Sequence, residues 1–138
     1  MIAYIDSSVL LRIVLRQPNA LKQWSTIERG VGCALVEVEC LRTLDRLRLA
    51  EGLGDDQIAI RREAVFRLIE AMEIVELTRP VLARAAQPLP TALGTLDAIH
   101  LATALLWQER NGADLVMATH DSTLATAAKA SGLRVVGI

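Results

Sequence analysis

The chain has 138 residues, 52% of them hydrophobic and only 3% aromatic, enough aliphatic material for one buried core and too much for a disordered chain. Its 15 Lys and Arg against 16 Asp and Glu leave a net charge of -1, which excludes a domain that grips nucleic acid through a large positive excess. Cys33 and Cys40 form no CxxC pair, so neither a zinc knuckle nor a disulfide framework is indicated, and both read as buried thiols.

In chain order, Ile2 to Ile5 is a short apolar strand that meets Asp6 too soon for the apolar segment of a signal peptide. Asp6-Ser7-Ser8 are helix-capping residues, followed by an apolar helical turn through Leu11 and Val14. Pro18 is expected to start a second helix that Gly30 ends, and Val31 to Ala34 to form a second strand. A long amphipathic helix from about Leu35 to Ala50 stops at Glu51-Gly52, and Asp55 and Asp56 cap another that reaches about Met72. Ile74 to Leu77 reads as a strand, Pro80 as the start of a brief helix, and Pro88 to Thr91 as a loop. Leu96 to Arg110 is a buried helix, Leu115 to Ala118 a strand, Ser122 to Ala130 an alanine-rich helix and Arg134 to Val136 the last strand. No apolar run approaches the roughly 18 residues of a membrane span, so a cytoplasmic protein is expected. The alternation implies a single α/β domain over residues 1–138, with about five parallel strands covered on both faces.

In an open parallel sheet, ligands gather at the carboxyl ends of the strands. Asp6 follows the first strand, Asp121 follows Leu115 to Ala118 and the pair Thr119-His120, and Asp97 sits in the first turn of its helix. A helix cap or a first-turn acid explains each of these alone. Glu39 lies inside a helix beside apolar Val38, Cys40 and Leu41, with Arg42, Thr43 and Arg46 on its own face, so its alternative is a surface pair to Arg42 or Thr43. Clustered carboxylates that stay ionised call for a cation, and oxygen-only donors select a hard ion such as Mg2+ or Mn2+. Such an ion can hold a phosphodiester and lower the pKa of an attacking water. No serine or cysteine has an evident base beside it, so nucleophilic catalysis has no support.

The segments Tyr4-Ile5-Asp6-Ser7-Ser8-Val9-Leu10-Leu11, Ala34 to Arg42, Leu96-Asp97-Ala98-Ile99-His100-Leu101-Ala102 and Ala118-Thr119-His120-Asp121-Ser122-Thr123-Leu124-Ala125 resemble, in order, those of PIN-domain proteins. In particular, they resemble VapC-type toxins of type II toxin–antitoxin systems. The resemblance implies an α/β/α sandwich, divalent-metal-dependent endoribonuclease activity, a homodimer and a VapB-like antitoxin partner. It places the acidic site on Asp6, Glu39, Asp97 and Asp121, with Asp6 and Asp97 as principal metal ligands and Ser7 and Thr119 as further contacts. His100, at i+3 from Asp97, reads as a packed or hydrogen-bonded side chain and His120 as a partly exposed structural one. Asp45, Asp55, Asp56 and Asp114 are expected to lie outside the site; Arg12 with Arg16, and Arg42 with Arg46, could each form an RNA-facing stripe, with a solvated helix face as the default reading of both.

Other chemistries fit less well. A haloacid-dehalogenase phosphatase needs a second aspartate where Ser8 stands, and a receiver domain needs an acid near Leu77-Thr78-Arg79 and a late lysine outside a helix. A fold that kept its shape and lost its chemistry would have little reason to keep all four acids.

Overall fold

The computed structural model describes residues 1–138. Its strands are β1 (Ile2–Ile5), β2 (Arg29–Cys33), β3 (Glu73–Val75), β4 (Leu115–Ala118) and β5 (Arg134–Val136). The helices are α1 (Ser7–Val14), α2 (Leu35–Glu51), α3 (Asp55–Glu70), α4 (Arg79–Ala85), α5 (Thr95–Asn111) and α6 (Ser122–Ala130). All strand pairs are parallel, in the order β3-β2-β1-β4-β5. The chain therefore builds outward from β1 to one edge and returns to fill the other. The reversal lies between β1 and β4, where an open sheet of this kind leaves its crevice.

Side-chain alternation divides the core between the two faces of the sheet. Ala3 and Ile5 of β1 pack with Val9, Leu10, Val14, Val36, Cys40, Leu44 and Val65, on the side of α1, α2 and α3. Tyr4 faces the other way and packs with Leu101, Ala104, Trp107, Leu124, Ala127 and Ala128, under α5 and α6. This is the expected three-layer α/β/α arrangement around five strands. Both cysteines are buried; burial raises the Cys33 thiol pKa and pushes that of Cys40 up to about 12. No helix is long and apolar enough to cross a membrane.

The expected stops and starts mostly hold. Gly52, at φ 62°, closes α2 with its N–H on the carbonyl of Arg48, a left-handed conformation natural to glycine. The helix expected from Pro18 to Gly30 does not form: residues 15–28 hold isolated turns and one 3-10 turn, Trp24–Thr26. Its carbonyls are claimed elsewhere, that of Asn19 by the Arg12 guanidinium, that of Gln23 by the Thr26 hydroxyl and that of Thr26 by the N-terminal amine, and such competition unravels a short helix. Arg29 and Gly30 instead join β2, because Ile2 and Ala3 pair with them. The third strand is Glu73–Val75, starting and ending earlier than Ile74 to Leu77, because its register on Val31 and Cys33 ends there.

Candidate active site

Asp6 stands at the carboxyl end of β1 as the residue before α1, with its N–H on the carbonyl of Ala118 in β4. Its side chain caps nothing. Instead Oδ2 accepts from the hydroxyls of Ser8 at 2.6 Å and Thr119 at 2.9 Å. Each hydroxyl is itself fixed by a backbone donor, the His120 N–H on Ser8 Oγ and the Asp121 N–H on Thr119 Oγ1, both at 3.0 Å. Asp6 is 4% exposed and Thr119 fully buried, so this carboxylate is locked in place with its Oδ1 free of hydrogen bonds.

The other acids arrive on helix starts. Asp121 caps α6, its Oδ1 accepting from the N–H groups of Thr123 and Leu124, which is the plain cap the sequence allowed. Asp97 lies in the first turn of α5, half-buried. Burial raises its carboxyl pKa, and the charges of Asp121, Asp6 and Glu39 add to the rise while His100 opposes it. Asp97 thus feels all three other acids, which places the four in one electrostatic neighbourhood. The helix starts carry partial positive charge that offsets part of the repulsion.

Glu39 makes neither of the surface pairs open to it in the sequence. Arg42 pairs with Asp45, which also holds Arg48, and Arg46 bonds the Thr43 hydroxyl. Glu39 Oε1 instead meets His100 Nε2 at 2.6 Å. His100 is fully buried, and its Nδ1 lies 2.7 Å from the Tyr4 hydroxyl. Burial opposes a charge on His100, but the Glu39 hydrogen bond and the charges of Asp6, Glu39 and Asp97 outweigh it, and its pKa rises. His100 Nε2 also lies 3.9 Å from Asp6 Oδ1.

No arginine or lysine pairs with any of the four acids. No three side chains of ligating type converge closely enough to enclose an ion as they stand. The donor chemistry nevertheless fits a hard cation, since Asp6 Oδ1, Glu39 Oε2, Asp121 Oδ2 and both oxygens of Asp97 make no hydrogen bonds, and only carboxylate oxygens are offered. Beside them opens a cleft of about 350 Å³ lined by Ser7, Leu35, Val38, Glu39, Arg42, Thr43, Arg46 and Leu96. A larger hollow of about 630 Å³ between α4 and the start of α5 contains none of the four acids.

The acids excluded on sequence lie elsewhere. Asp114 pairs with Arg134, Asp45 with Arg42 and Arg48, and Asp55 and Asp56 sit exposed at the start of α3. The stripe of Arg12 and Arg16 does not exist, because α1 ends at Val14, Arg16 turns away at φ 53° and Arg12 bonds the carbonyl of Asn19. Arg42 and Arg46 do share the cleft. Sequence reasoning missed Ser8, whose signal was its place two residues after an aspartate at a strand-to-helix turn. It also missed the partnership of His100 with Glu39. Ser7 lines the cleft and its hydroxyl makes no hydrogen bond.

A family profile described as PIN domain matches residues 3–130. The chain belongs to the PIN-domain family. Among PIN relatives it is 34% identical over 137 residues to Ribonuclease VapC46 of Mycobacterium tuberculosis, covering 96% of this chain and 95% of that protein. It is 32% identical over 103 residues to Ribonuclease VapC47 of the same species, covering 73% of each. The same PIN fold occurs in the structure of FitAB bound to an IR36 DNA fragment, with a TM-score of 0.72 at 18% identity over 98% of this chain and 93% of that one. It occurs again in VapBC2 from Rickettsia felis bound to a promoter DNA fragment, with a TM-score of 0.68 at 9% identity over 98% and 97%.

Proposed function

We propose that this PIN-domain protein is a VapC-like toxin: an endoribonuclease that hydrolyses RNA phosphodiesters with Mg2+ or Mn2+ held at Asp6, Asp97, Glu39 and Asp121. The observation that carries the reading is the set of four neighbouring carboxylates with no arginine or lysine paired to them, in a chain similar along nearly its whole length to a ribonuclease. When bound, a divalent cation supplies the positive charge that a phosphodiester requires and acidifies water for attack.

The residues of the chain divide the remaining work. Asp6, fixed by Ser8 and Thr119, presents Oδ1 in one orientation. Asp97 and Asp121 flank it from the starts of α5 and α6. Glu39 offers Oε2 while Oε1 is held by His100. Arg42 and Arg46 stand on the cleft wall, where their guanidinium groups can meet the phosphates flanking the cut. The partner is an antitoxin of the VapB kind, a reading supported by the shared fold of a chain in a toxin–antitoxin complex from Klebsiella pneumoniae and in VapBC2 from Rickettsia felis, and the active form is a homodimer acting in the cytoplasm.

The test is cleavage of single-stranded or looped RNA by purified protein. Activity should need Mg2+ or Mn2+, stop with EDTA, return on adding excess metal, and fall by orders of magnitude in Asp6→Asn. Cleavage that persists in EDTA would refute the metal assignment; no cleavage of any RNA under any metal would favour a silent binding module.

A further inference from the structure

We propose that His100, held by Tyr4 as the Nε2–H tautomer, is a positioning residue that keeps Glu39 turned into the acidic pocket and off the arginines of its own helix. The inference deepens the metal-dependent reading of the same site and rests on it.

Glu39 has two sets of partners within reach. On α2 it shares a face with Arg42, Thr43 and Arg46, which line the cleft with it. A glutamate with an arginine at i+3 ordinarily pairs with it. Toward the sheet it meets His100, three residues beyond Asp97 on α5. The structure shows the second choice made, with Arg42 engaged by Asp45 instead. A charge-assisted hydrogen bond from a fully buried donor outweighs an exposed pair between flexible side chains.

That preference requires the proton to be on Nε2, and Tyr4 decides its place. Tyr4 is fully buried, and its phenol carries one hydrogen that it can donate. Its oxygen lies 2.7 Å from His100 Nδ1, while Nε2 faces a carboxylate oxygen that can only accept. Donation from the phenol makes Nδ1 the acceptor and leaves Nε2 to carry the hydrogen toward Glu39 Oε1. Tyr4 on β1, His100 on α5 and Glu39 on α2 thus form one chain of hydrogen bonds from the core to the site. Outer partners of this kind fix the direction of a ligating carboxylate, and losing one typically weakens metal binding by about 10–100-fold.

The full chain is tested with Mn2+ by calorimetry, and with long-range 1H–15N spectra of the imidazole at mildly alkaline pH. The wild-type spectrum should show hydrogen on Nε2 and a bare, hydrogen-bonded Nδ1. Tyr4→Phe, which removes only the hydroxyl, should lose that single-tautomer signature and bind Mn2+ about 10-fold more weakly. His100→Leu should bind at least as weakly, and His100→Gln, which presents an acceptor and a donor on one planar group, should recover most of the affinity. A merely structural histidine would show no rescue by glutamine beyond recovered stability. Wild-type Mn2+ affinity in folded Tyr4→Phe, or hydrogen on Nδ1 in the wild type, overturns the proposal. Should His100→Leu fail to fold, Tyr4→Phe and the spectrum still decide it. A wild-type protein that binds no Mn2+ overturns the metal site itself, while the spectrum separately decides whether Tyr4 sets the tautomer.

Discussion

Thr119→Val is a sharp probe of how the site is built, because it exchanges a hydroxyl for a methyl of nearly equal size at a fully buried position. The hydroxyl donates to Asp6 Oδ2 and accepts from the Asp121 N–H. Asp6 is itself almost enclosed, so water cannot readily replace the lost donor. A hydrogen bond to a charged group contributes about 1.5–3 kcal/mol. At roughly 3–4 °C per kcal/mol for a domain of this length, the variant should melt about 5–12 °C lower. Thr119→Ser keeps the hydroxyl and loses one methyl, worth about 0.8 kcal/mol if fully buried, and should melt only a few degrees below wild type. Thermal unfolding of the three metal-free proteins at neutral pH, followed by circular dichroism, makes the comparison. A valine variant within about 2 °C of wild type would refute the hydroxyl clamp on Asp6, since surface-like changes are usually within ±0.5 kcal/mol.

The raised pKa of Asp97 means that the unfolded chain releases this proton first, so the stability of the metal-free fold falls as the pH climbs from the ordinary aspartate range through the raised value. Asp97→Asn should flatten that fall and melt higher than wild type near neutral pH without metal, which paired pH series of thermal melts would show. Adding Mn2+ should raise the melting temperature of wild type more than that of Asp97→Asn. Replacing Arg42 and Arg46 together by alanine in an Asp97→Asn background should weaken RNA binding and reduce the slope of log affinity against log salt by about 1.4, as for two lost single-strand phosphate contacts at roughly 0.7 each, measured by fluorescence anisotropy. Gly137→Ala should cost at least about 1–3 kcal/mol, because Gly137 sits at φ 103° and an added Cβ would press into the carbonyl of Thr119; chemical denaturation reads the loss.

How much of this was legible in the sequence follows from the range of the interactions. The strands could be read because short aliphatic runs followed by capping residues repeat along the chain, and Asp6 and Asp121 stand at two of those junctions. The segment after Pro18 misled because Pro18 and Gly30 carry the start and stop signals of a helix. Between them runs a connection where Leu21 is buried and the carbonyls go to side chains and the N-terminus. What supports the acids was hidden for a different reason. Thr119 clamps Asp6 from 113 positions away, and His100 reaches Glu39 across 61 and Tyr4 across 96, distances at which local pattern carries no signal. Ser8, the hydroxyl that bonds Asp6 Oδ2, was within local reach at two positions from it.

The central claim is that the cluster of Asp6, Glu39, Asp97 and Asp121, and not acidity in general, carries metal-dependent RNA hydrolysis. Its most direct measurement is the single-turnover rate of RNA cleavage in Mn2+ for wild type, Asp97→Asn and Asp114→Asn, each purified and shown to be folded. Asp114 pairs with Arg134 outside the acidic neighbourhood, so Asp114→Asn should cleave at the wild-type rate while Asp97→Asn falls by orders of magnitude. Undiminished cleavage by Asp97→Asn, or equal loss in both variants, would contradict the account.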